Sequence, residues 1–358
     1  MKLSQVIEEL VEEKGLERTI LSSIICEGIL AAYEKKYPGL VFKADYDKKN
    51  DEIEIKVEKL IVSSPEDEER EVSIRKARNI NSDLNLGDTV LVPFEGRIGR
   101  IEILRAKQVI ANKIRLIEAT LVYDQFKNKQ GTLVHGVIHK CEYGGATIKI
   151  DDNLAFLPKS LSIAGDKCVV GFPVRALLKE VLPEPRNDNQ LILDRTSALF
   201  IEKLFELEIP EVFEKLVEIK KIARIPGYKS KLLVMSHDKN IDPVGTCVGI
   251  GGVRIKPILK ELGTEKIDII AWNDSLEVLI KDALKPAIIS RVELVDNKNA
   301  TIWLDEDQRS LAIGKGGQNI ALASQLVGVN IHLIQSENPS LSTVEDKELV
   351  LEKTFEEN

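Results

Sequence analysis

Two stretches of the chain repeat each other. Residues 242–263 read DPVGTCVGIGGVRIKPILKELG, and residues 307–328 read DQRSLAIGKGGQNIALASQLVG. At a constant offset of 65, Gly249 aligns with Gly314, and the pair of glycines that follows aligns as well. In each copy the apolar spacing predicts one helix before the glycines and a second helix after them. Repetition at a fixed offset therefore predicts two copies of one structural module.

The segments around each repeat complete the module. Strand-like pairs precede the glycines, and a β-rich run follows them: 217–223, 232–235 and 266–272 in the first copy; 288–295, 300–304 and 329–334 in the second. The order helix–strand–strand–helix–G-x-x-G–helix–strand is typical of a type II KH module. A single G-x-x-G motif carries little weight, whereas two in register with matching flanks predict tandem KH domains.

The glycine loops are the candidate ligand sites. Glycine permits positive φ and leaves the backbone open, and the helix that follows offers free N–H groups and the positive end of its dipole, so phosphates can approach. The alternative is a tight turn that needs glycine for geometry alone. We predict RNA contacts at Gly249, Ile250, Gly251, Gly252, Arg254, Lys256, Gly314, Lys315, Gly316, Gly317, Gln318 and Asn319, with further charge contacts from Arg224, Lys229 and Lys231.

Residues 131–197 have a pattern of short β-rich runs separated by turns. Five short β-rich runs in about 65 residues, separated by glycine, aspartate and proline turns, predict an OB-type β-barrel. A small barrel of purely structural role has the same pattern. Tyr143 and Phe156 are candidates for base stacking, and a place in the barrel core is an equal alternative.

The first 130 residues alternate between helix and strand. Helices are predicted over 3–13 and 18–36, half-buried strands over 41–46 and 53–62, and a long amphipathic helix over 97–127 that joins two domains or packs along one. The predicted fold class is therefore α+β and multidomain: an α/β N-terminal domain with a connecting helix, an OB-type barrel and two KH domains.

Composition and charge restrict the function. The net charge is −8, yet residues 215–260 hold ten basic and three acidic side chains, a local excess that favours an RNA partner. The four cysteines form no C-x-x-C, which argues against zinc and a disulfide framework and suits a reducing cytoplasm. No Walker A, H-E-x-x-H or G-x-S-x-G motif is present, so we predict no catalytic residue, metal or cofactor. No run is apolar enough to predict a membrane helix.

Several motifs together resemble the bacterial NusA family, over roughly residues 1–335. They are Ala106-Lys-Gln-Val-Ile, Leu157-Pro-Lys, Ile209-Pro-Glu, Arg224-Ile-Pro-Gly, Asp242-Pro-Val-Gly-Thr-Cys-Val-Gly, Glu265-Lys-Ile-Asp-Ile-Ile and Ala312-Ile-Gly-Lys-Gly-Gly-Gln-Asn. The resemblance implies a non-enzymatic, cytoplasmic, monomeric transcription factor that binds RNA polymerase core and nascent single-stranded RNA. It also implies an S1-type barrel, effects on pausing, termination and antitermination, and association with other Nus-type antitermination factors.

The resemblance also implies a division of the chain. We predict a polymerase-binding domain with the connecting helix over 1–130, an S1-type RNA-binding barrel over 131–197, KH domains over 198–273 and 274–336, and an acidic, disordered tail over 337–358. Two alternatives stay open: an RNA-processing enzyme with accessory S1 and KH domains, and a translation or ribosome-assembly factor. The first would need a catalytic constellation, which residues 1–130 do not offer.

This chain departs from the family pattern at five positions. Gly251 stands where the first loop usually carries a basic residue, Ala321 where arginine is usual, and Val329 where an aromatic residue is usual. Lys229 replaces a usual arginine and Asp194 a usual serine. Because lysine lacks the bidentate fork of arginine and alanine lacks the charge, we predict weaker or less base-selective RNA binding than is typical of the family.

Overall fold

The computed structural model describes residues 3–47, 52–81, 83–186, 189–296 and 298–335. The chain divides into two compact units, one of residues 1–128 with 182–190 and one of residues 129–181 with 191–358. No helix in the described ranges is long and apolar enough to cross a membrane. The five domain boundaries stay a prediction, and the acidic tail lies outside the described residues.

The first unit combines helices with a four-stranded sheet. Its elements are α1 (Leu3–Lys14), α2 (Arg18–Lys36), β1 (Phe42–Asp47), β2 (Glu52–Val62), β3 (Glu71–Ser73), α3 (Ile74–Arg78), β4 (Thr89–Pro93) and α4 (Arg100–Phe126). Strand β2 pairs antiparallel with β1 and β4 and parallel with β3. The predicted helices and the two long strands are confirmed to within a few residues.

Helices α2 and α4 pack closely at a glycine. A Cβ on Gly28 would lie 2.3 Å from Ile110 Cγ1 and 3.2 Å from the Ala106 carbonyl oxygen. A larger residue at position 28 would therefore push the helices apart. The core around this contact is aliphatic, with Leu21 and Ile25 of α2 packed against Ile114 of α4. The long helix thus packs along the first unit over part of its length.

A closed five-stranded barrel occupies the region of the predicted OB-type domain. Its strands are β5 (Leu133–Glu142), β6 (Gly145–Ile150), β7 (Asn153–Pro158), β8 (Pro173–Arg186) and β9 (Asn189–Asp194), in the closed order β5-β6-β7-β9-β8. Alternating side chains point inward, and Ile148, Ala155, Leu178 and Leu191 are fully buried. The prediction of five strands is confirmed, whereas the S1-type assignment still rests on the resemblance.

The barrel contains a disulfide that the sequence argument did not foresee. Cys141, near the end of β5, is bonded to Cys168 in the connection that leads to β8, with the two Cα atoms 6.0 Å apart. The expectation of no disulfide is wrong for this pair, because the barrel brings together two cysteines that lie 27 residues apart along the chain. Cys26 and Cys247 are free and buried.

Two KH modules follow, as predicted. The first comprises α5 (Ala198–Glu208), α6 (Pro210–Phe213), β10 (Val217–Ile225), β11 (Lys229–Ser236), α7 (Pro243–Val248), α8 (Ile255–Leu262) and β12 (Lys266–Ala271). The second comprises α9 (Leu276–Ala283), β13 (Arg291–Leu294), β14 (Asn299–Leu304), α10 (Glu306–Ile313), α11 (Gln318–Val327) and β15 (Asn330–Gln335). In each sheet the central strand pairs antiparallel with the strand before it and parallel with the last strand.

The sheet of the first module is buried on both faces. On one face Leu232 and Val234 pack against Phe200 and Ile258 of the module's own helices. On the other face, Leu233 belongs to the apolar core of the second module. Successive residues of a strand point to opposite faces of the sheet. One face of this sheet therefore packs in the core of the first module, and the other face packs in the core of the second.

Candidate nucleic-acid interface

Each glycine loop connects two helices, and the two loops have nearly the same backbone angles. The φ angles of the first loop are 73° at Gly249, 63° at Gly251 and 78° at Gly252. Those of the second loop are 71° at Gly314, 60° at Gly316 and 77° at Gly317. Such angles are accessible to glycine and strained for most other residues. The sequence repeat is therefore a repeat of backbone geometry.

The first glycine of each loop lies against the helix that follows. A Cβ on Gly249 would lie 2.9 Å from Arg254 Cγ, and one on Gly314 would lie 2.7 Å from Asn319 Cβ. By contrast, a Cβ on Gly316 would meet no heavy atom within 4 Å. The first glycine is thus required for packing, and the later ones leave space above the backbone that a phosphate could enter.

Two lysines are free for a phosphate contact at the loops. Lys256 is exposed on the first turn of α8, and its Cε lies 3.7 Å from the place of a Cβ on Gly252. Lys315 is exposed within the second loop itself. Neither lysine forms an ion pair within the described ranges. Ile250 is 97% exposed in the first loop, and Gln318 is half-buried with an unpartnered Oε1.

Arg254 and Asn319 donate hydrogen bonds that brace the loops. Arg254 Nη1 donates to the Thr246 carbonyl oxygen at 3.0 Å and to Glu211 Oε2 at 2.9 Å. Asn319 Nδ2 donates at 3.2 Å to the carbonyl oxygen of Leu311, which is the counterpart of Thr246 at the offset of 65. Asn319 is 5% exposed. Asn319 is buried, so its prediction as an RNA contact is wrong, and its Oδ1 has no hydrogen-bond partner among the described residues. The Arg254 side chain is 33% exposed and already paired with Glu211, so its role as an RNA contact stays a prediction.

Arg224 is buried, so its prediction as a phosphate contact is wrong. Its side chain is 3% exposed and forms an ion pair with Glu265, whose side chain is fully buried. The backbone N–H of Gly227 and the hydroxyl of Ser230 also donate to the Glu265 carboxylate, at 2.9 Å and 2.6 Å. The arrangement explains the Arg224-Ile-Pro-Gly motif as the anchor of a turn inside the first module.

Lys229 and Lys231 converge on one carboxylate. Their Nζ atoms lie 2.7 Å and 2.8 Å from Asp268 Oδ2. Burial lowers the pKa of Lys231 below its ordinary value, while the hydrogen bond and the charge of Asp268 oppose that shift. Lys231 is fully buried, so its prediction as an RNA contact is wrong. Lys229 is 16% exposed and already paired, which leaves it a weak candidate.

The barrel presents aromatic side chains to a groove of about 1570 Å³ that α8 also lines. Tyr143 is 98% exposed, and Lys159 Nζ lies 5.7 Å from the centre of its ring. Phe172, 60% exposed, and Lys260 of α8 line the same groove. The sequence offered no motif at either residue, so both were missed. Phe156 is half-buried and lies outside the lining of this groove.

A buried arginine fixes the barrel against the first KH module. Arg195 Nε donates to Asp166 Oδ2 at 2.9 Å, and Nη1 donates to Glu261 Oε1 of α8 at 2.6 Å. Asp194 Oδ1 accepts from the backbone N–H and the hydroxyl of Thr196, at 2.6 Å and 2.7 Å. Asp194 therefore caps the turn at this junction, and its replacement of serine leaves the turn intact.

Three family models match the chain. The NusA N-terminal domain matches residues 2–120, the NusA-like first KH domain residues 195–272, and the NusA-like second KH domain residues 276–340. All three matches follow the order in which the corresponding parts stand in this chain.

Three relatives are similar over nearly the whole chain, and each is called transcription termination/antitermination protein NusA. The protein from Rickettsia conorii is 33% identical, over 95% of this chain and 69% of its own length. The one from Thermus thermophilus is 31% identical, over 93% and 89%. The one from Bacillus subtilis is 29% identical, over 93% and 90%.

Proposed function

The chain belongs to the NusA family, and from that premise we propose that it is a transcription factor that binds RNA polymerase and nascent RNA. Its relatives carry termination and antitermination in their name. We assign polymerase binding to residues 1–130 and RNA binding to the barrel and KH modules over 131–336. The protein acts in the cytoplasm by binding, without a catalytic step or cofactor, and it modulates pausing, termination and antitermination.

The observation that carries the proposal is the pair of glycine loops with matching φ angles. KH folds clamp about four nucleotides of single-stranded RNA at such a loop. Lys256 lies beside the first loop and Lys315 within the second, so each clamp has one lysine available to a phosphate. The groove with Tyr143 and Phe172 adds exposed rings on which bases can stack.

The start of α4 is the candidate polymerase contact of the first unit. Ile101 is 74% exposed and Leu104 is 66% exposed, three residues apart and thus on one face of the helix. Arg100 and Arg105 flank this apolar pair along the chain. An exposed apolar surface with charged borders is typical of a protein–protein contact.

Pause duration on a hairpin-pause template with the cognate bacterial polymerase tests the proposal. The test variant carries Ile250→Asp, Gly251→Asp, Lys315→Asp and Gly316→Asp, which place negative charge in both loops. A control variant carries Ile288→Asp and Val295→Asp, at exposed positions outside the loops. We expect wild type and control to lengthen the pause and the loop variant to lose most of the effect, with circular dichroism confirming its fold.

Two outcomes would redirect the proposal. An equal effect of wild type and loop variant would assign the activity to the first unit and give the loops a supporting role. No effect of any of the proteins, with RNA binding intact, would favour the alternative of a translation or ribosome-assembly factor. A pull-down of ribosomal subunits against RNA polymerase then decides between the partners.

A further inference from the structure

The two KH sheets have the same strand order, so their rows of neighbouring residues correspond. The first row runs across the first sheet through Lys221, Leu233 and Ile270. The second row runs across the second sheet through Arg291, Trp303 and Ile334. Each row crosses its sheet at equivalent positions, from the antiparallel edge strand to the parallel one.

The first row is an interface within the chain. Leu233 and Ile270 are 2% and 6% exposed, in one core cluster with residues of α11 that include Leu322. Lys221 Nζ lies 3.4 Å from the place of a Cβ on Gly328, the residue that ends α11. A cation at the C-terminal end of a helix is stabilised by the helix dipole. The first row therefore combines an apolar centre, which packs against α11, with a lysine that lies at the C-terminal end of the same helix.

The second row has the same chemistry and is exposed. Ile334 is 47% exposed and the Arg291 side chain 68%. Trp303 is half-buried, and the Arg291 guanidinium carbon lies 4.9 Å from the centre of its ring. Glu293 pairs with Arg291 at 3.0 Å. An aromatic and an aliphatic side chain thus stand side by side on the face that serves the first module as an interface.

In place of the disordered tail expected from the sequence, we propose that residues 336–358 of this chain cover the second row. They follow β15, the strand of Ile334, directly in sequence. They supply Val344, Leu349, Leu351 and Phe355 for the apolar centre, and seven acidic against two basic residues for Arg291. Eight residues separate Gln335 from Val344, and eight extended residues span roughly 26 Å, enough to return across a three-stranded sheet.

Two other occupants fit the observations less well. A second copy of the chain would have to offer α9 and α11, which are already packed in its own core. RNA would meet Glu293 on this face and the acidic residues that follow β15, and like charges repel phosphate. Residues 336–358 offer both apolar side chains for the centre of the row and acidic side chains for Arg291.

Acrylamide quenching of Trp303 fluorescence tests the proposal in Trp272→Phe protein, where Trp303 is the single tryptophan. The full chain is compared with a chain that ends at Gln335. A third protein carries Leu351→Asp and Phe355→Asp, and its matched control carries Ser340→Asp and Ser342→Asp. We expect the quenching constant to be at least about twofold lower in the full chain and the control, because packing removes the indole from solvent.

The outcomes separate the occupants. Equal quenching in the full and shortened chains would overturn the proposal. The proposal would also be overturned if single-stranded RNA protected Trp303 equally in the full and the shortened chain, because this face would then be an RNA site. Added in trans, a peptide of residues 337–358 should restore protection to the shortened chain in a saturable manner. Ile334→Glu, an exposed change, should abolish that effect, and its failure to do so would contradict the proposal.

Discussion

Arg224 and Glu265 meet in two hydrogen bonds inside the first KH module, with Nε to Oε1 and Nη2 to Oε2 both at 2.9 Å. The geometry is bidentate, and both side chains are shielded from water. The two residues lie 41 positions apart, on β10 and immediately before β12. The pair therefore joins the two edge strands of the first sheet at one end.

Removal of one partner should destabilise this module strongly. Glu265→Gln leaves the buried Arg224 guanidinium without its counter-charge, which costs on the order of 3–5 kcal/mol. Urea denaturation of the two proteins measures the difference. Glu218→Gln is the control, because its pair with Lys220 lies at the surface, with side chains 42% and 32% exposed, and such pairs contribute less than about 1 kcal/mol. Similar losses in both variants would show that burial does not set the value of the pair.

The order of helices and strands was predictable because it depends on patterns among residues that are close in sequence. The spacing of apolar residues located α2 and α4, alternation located β1 and β2, and the repeat located both KH modules before any contact was known. Glycine positions were informative for the same reason, since positive φ is a property of a single residue. The positions of both glycine loops were therefore predicted correctly, and their role as RNA contacts stays a prediction.

The roles of the charged side chains were not predictable from local patterns. In the sequence, Arg254 and Lys231 are basic residues near the glycine loop, as Lys256 is. Their carboxylate partners, however, lie 43 and 37 residues away along the chain. Burial by distant segments decides whether such a cation is a structural brace or is free for a ligand. The disulfide between Cys141 and Cys168 escaped for the same reason.

Lys256 and Lys315 should each account for one phosphate contact. We expect Lys256→Ala and Lys315→Ala to reduce the slope of log K against log[salt] by about 0.7 each, the value for one contact to a single strand. Lys43→Ala, an exposed change on β1 of the first unit, should leave the slope unchanged. Fluorescence anisotropy with a labelled single-stranded RNA over a salt series gives these slopes. An unchanged slope in both loop variants would remove the lysines from the interface.

The total number of contacts should be smaller than in a typical relative. Gly251 and Ala321 carry no charge, at positions where the resemblance to the family implies a basic residue. Val329 is itself buried, so this departure concerns packing. We therefore expect a shallower salt slope than that of the relative from Bacillus subtilis, measured on the same RNA. Equal slopes would show that other cations replace the missing contacts.

The buried Lys231 should make stability depend on alkaline pH. Its folded-state pKa lies below the ordinary 10.5 because burial disfavours the charged form. Between the two pKa values the unfolded chain binds more protons, so the free energy of unfolding contributed by this group rises with pH. Compared with Lys231→Met, the wild type should gain stability from neutral pH toward pH 10.5. A difference between the two proteins that stays constant with pH would contradict this assignment.

The exposed pair on α4 should separate polymerase binding from RNA binding. Ile101→Asp with Leu104→Asp replaces two exposed apolar side chains by charges, and we expect it to abolish capture of the protein by immobilised polymerase core. RNA affinity should stay within about twofold, because no RNA contact is assigned to the first unit. Ile80→Asp, 53% exposed in the same unit, is the control and should bind normally. Normal capture of the double variant would place the polymerase contact elsewhere.

The disulfide between Cys141 and Cys168 should stabilise the barrel mainly by restricting the unfolded chain. A link that closes 27 residues contributes roughly 3.5 kcal/mol through lost loop-closure entropy. Dithiothreitol should therefore lower the free energy of unfolding of wild type by about that amount. Cys141→Ser should match the reduced wild type and be insensitive to the reductant, since Cys26 and Cys247 are free. An equal response of both proteins to dithiothreitol would mean that the reductant acts elsewhere.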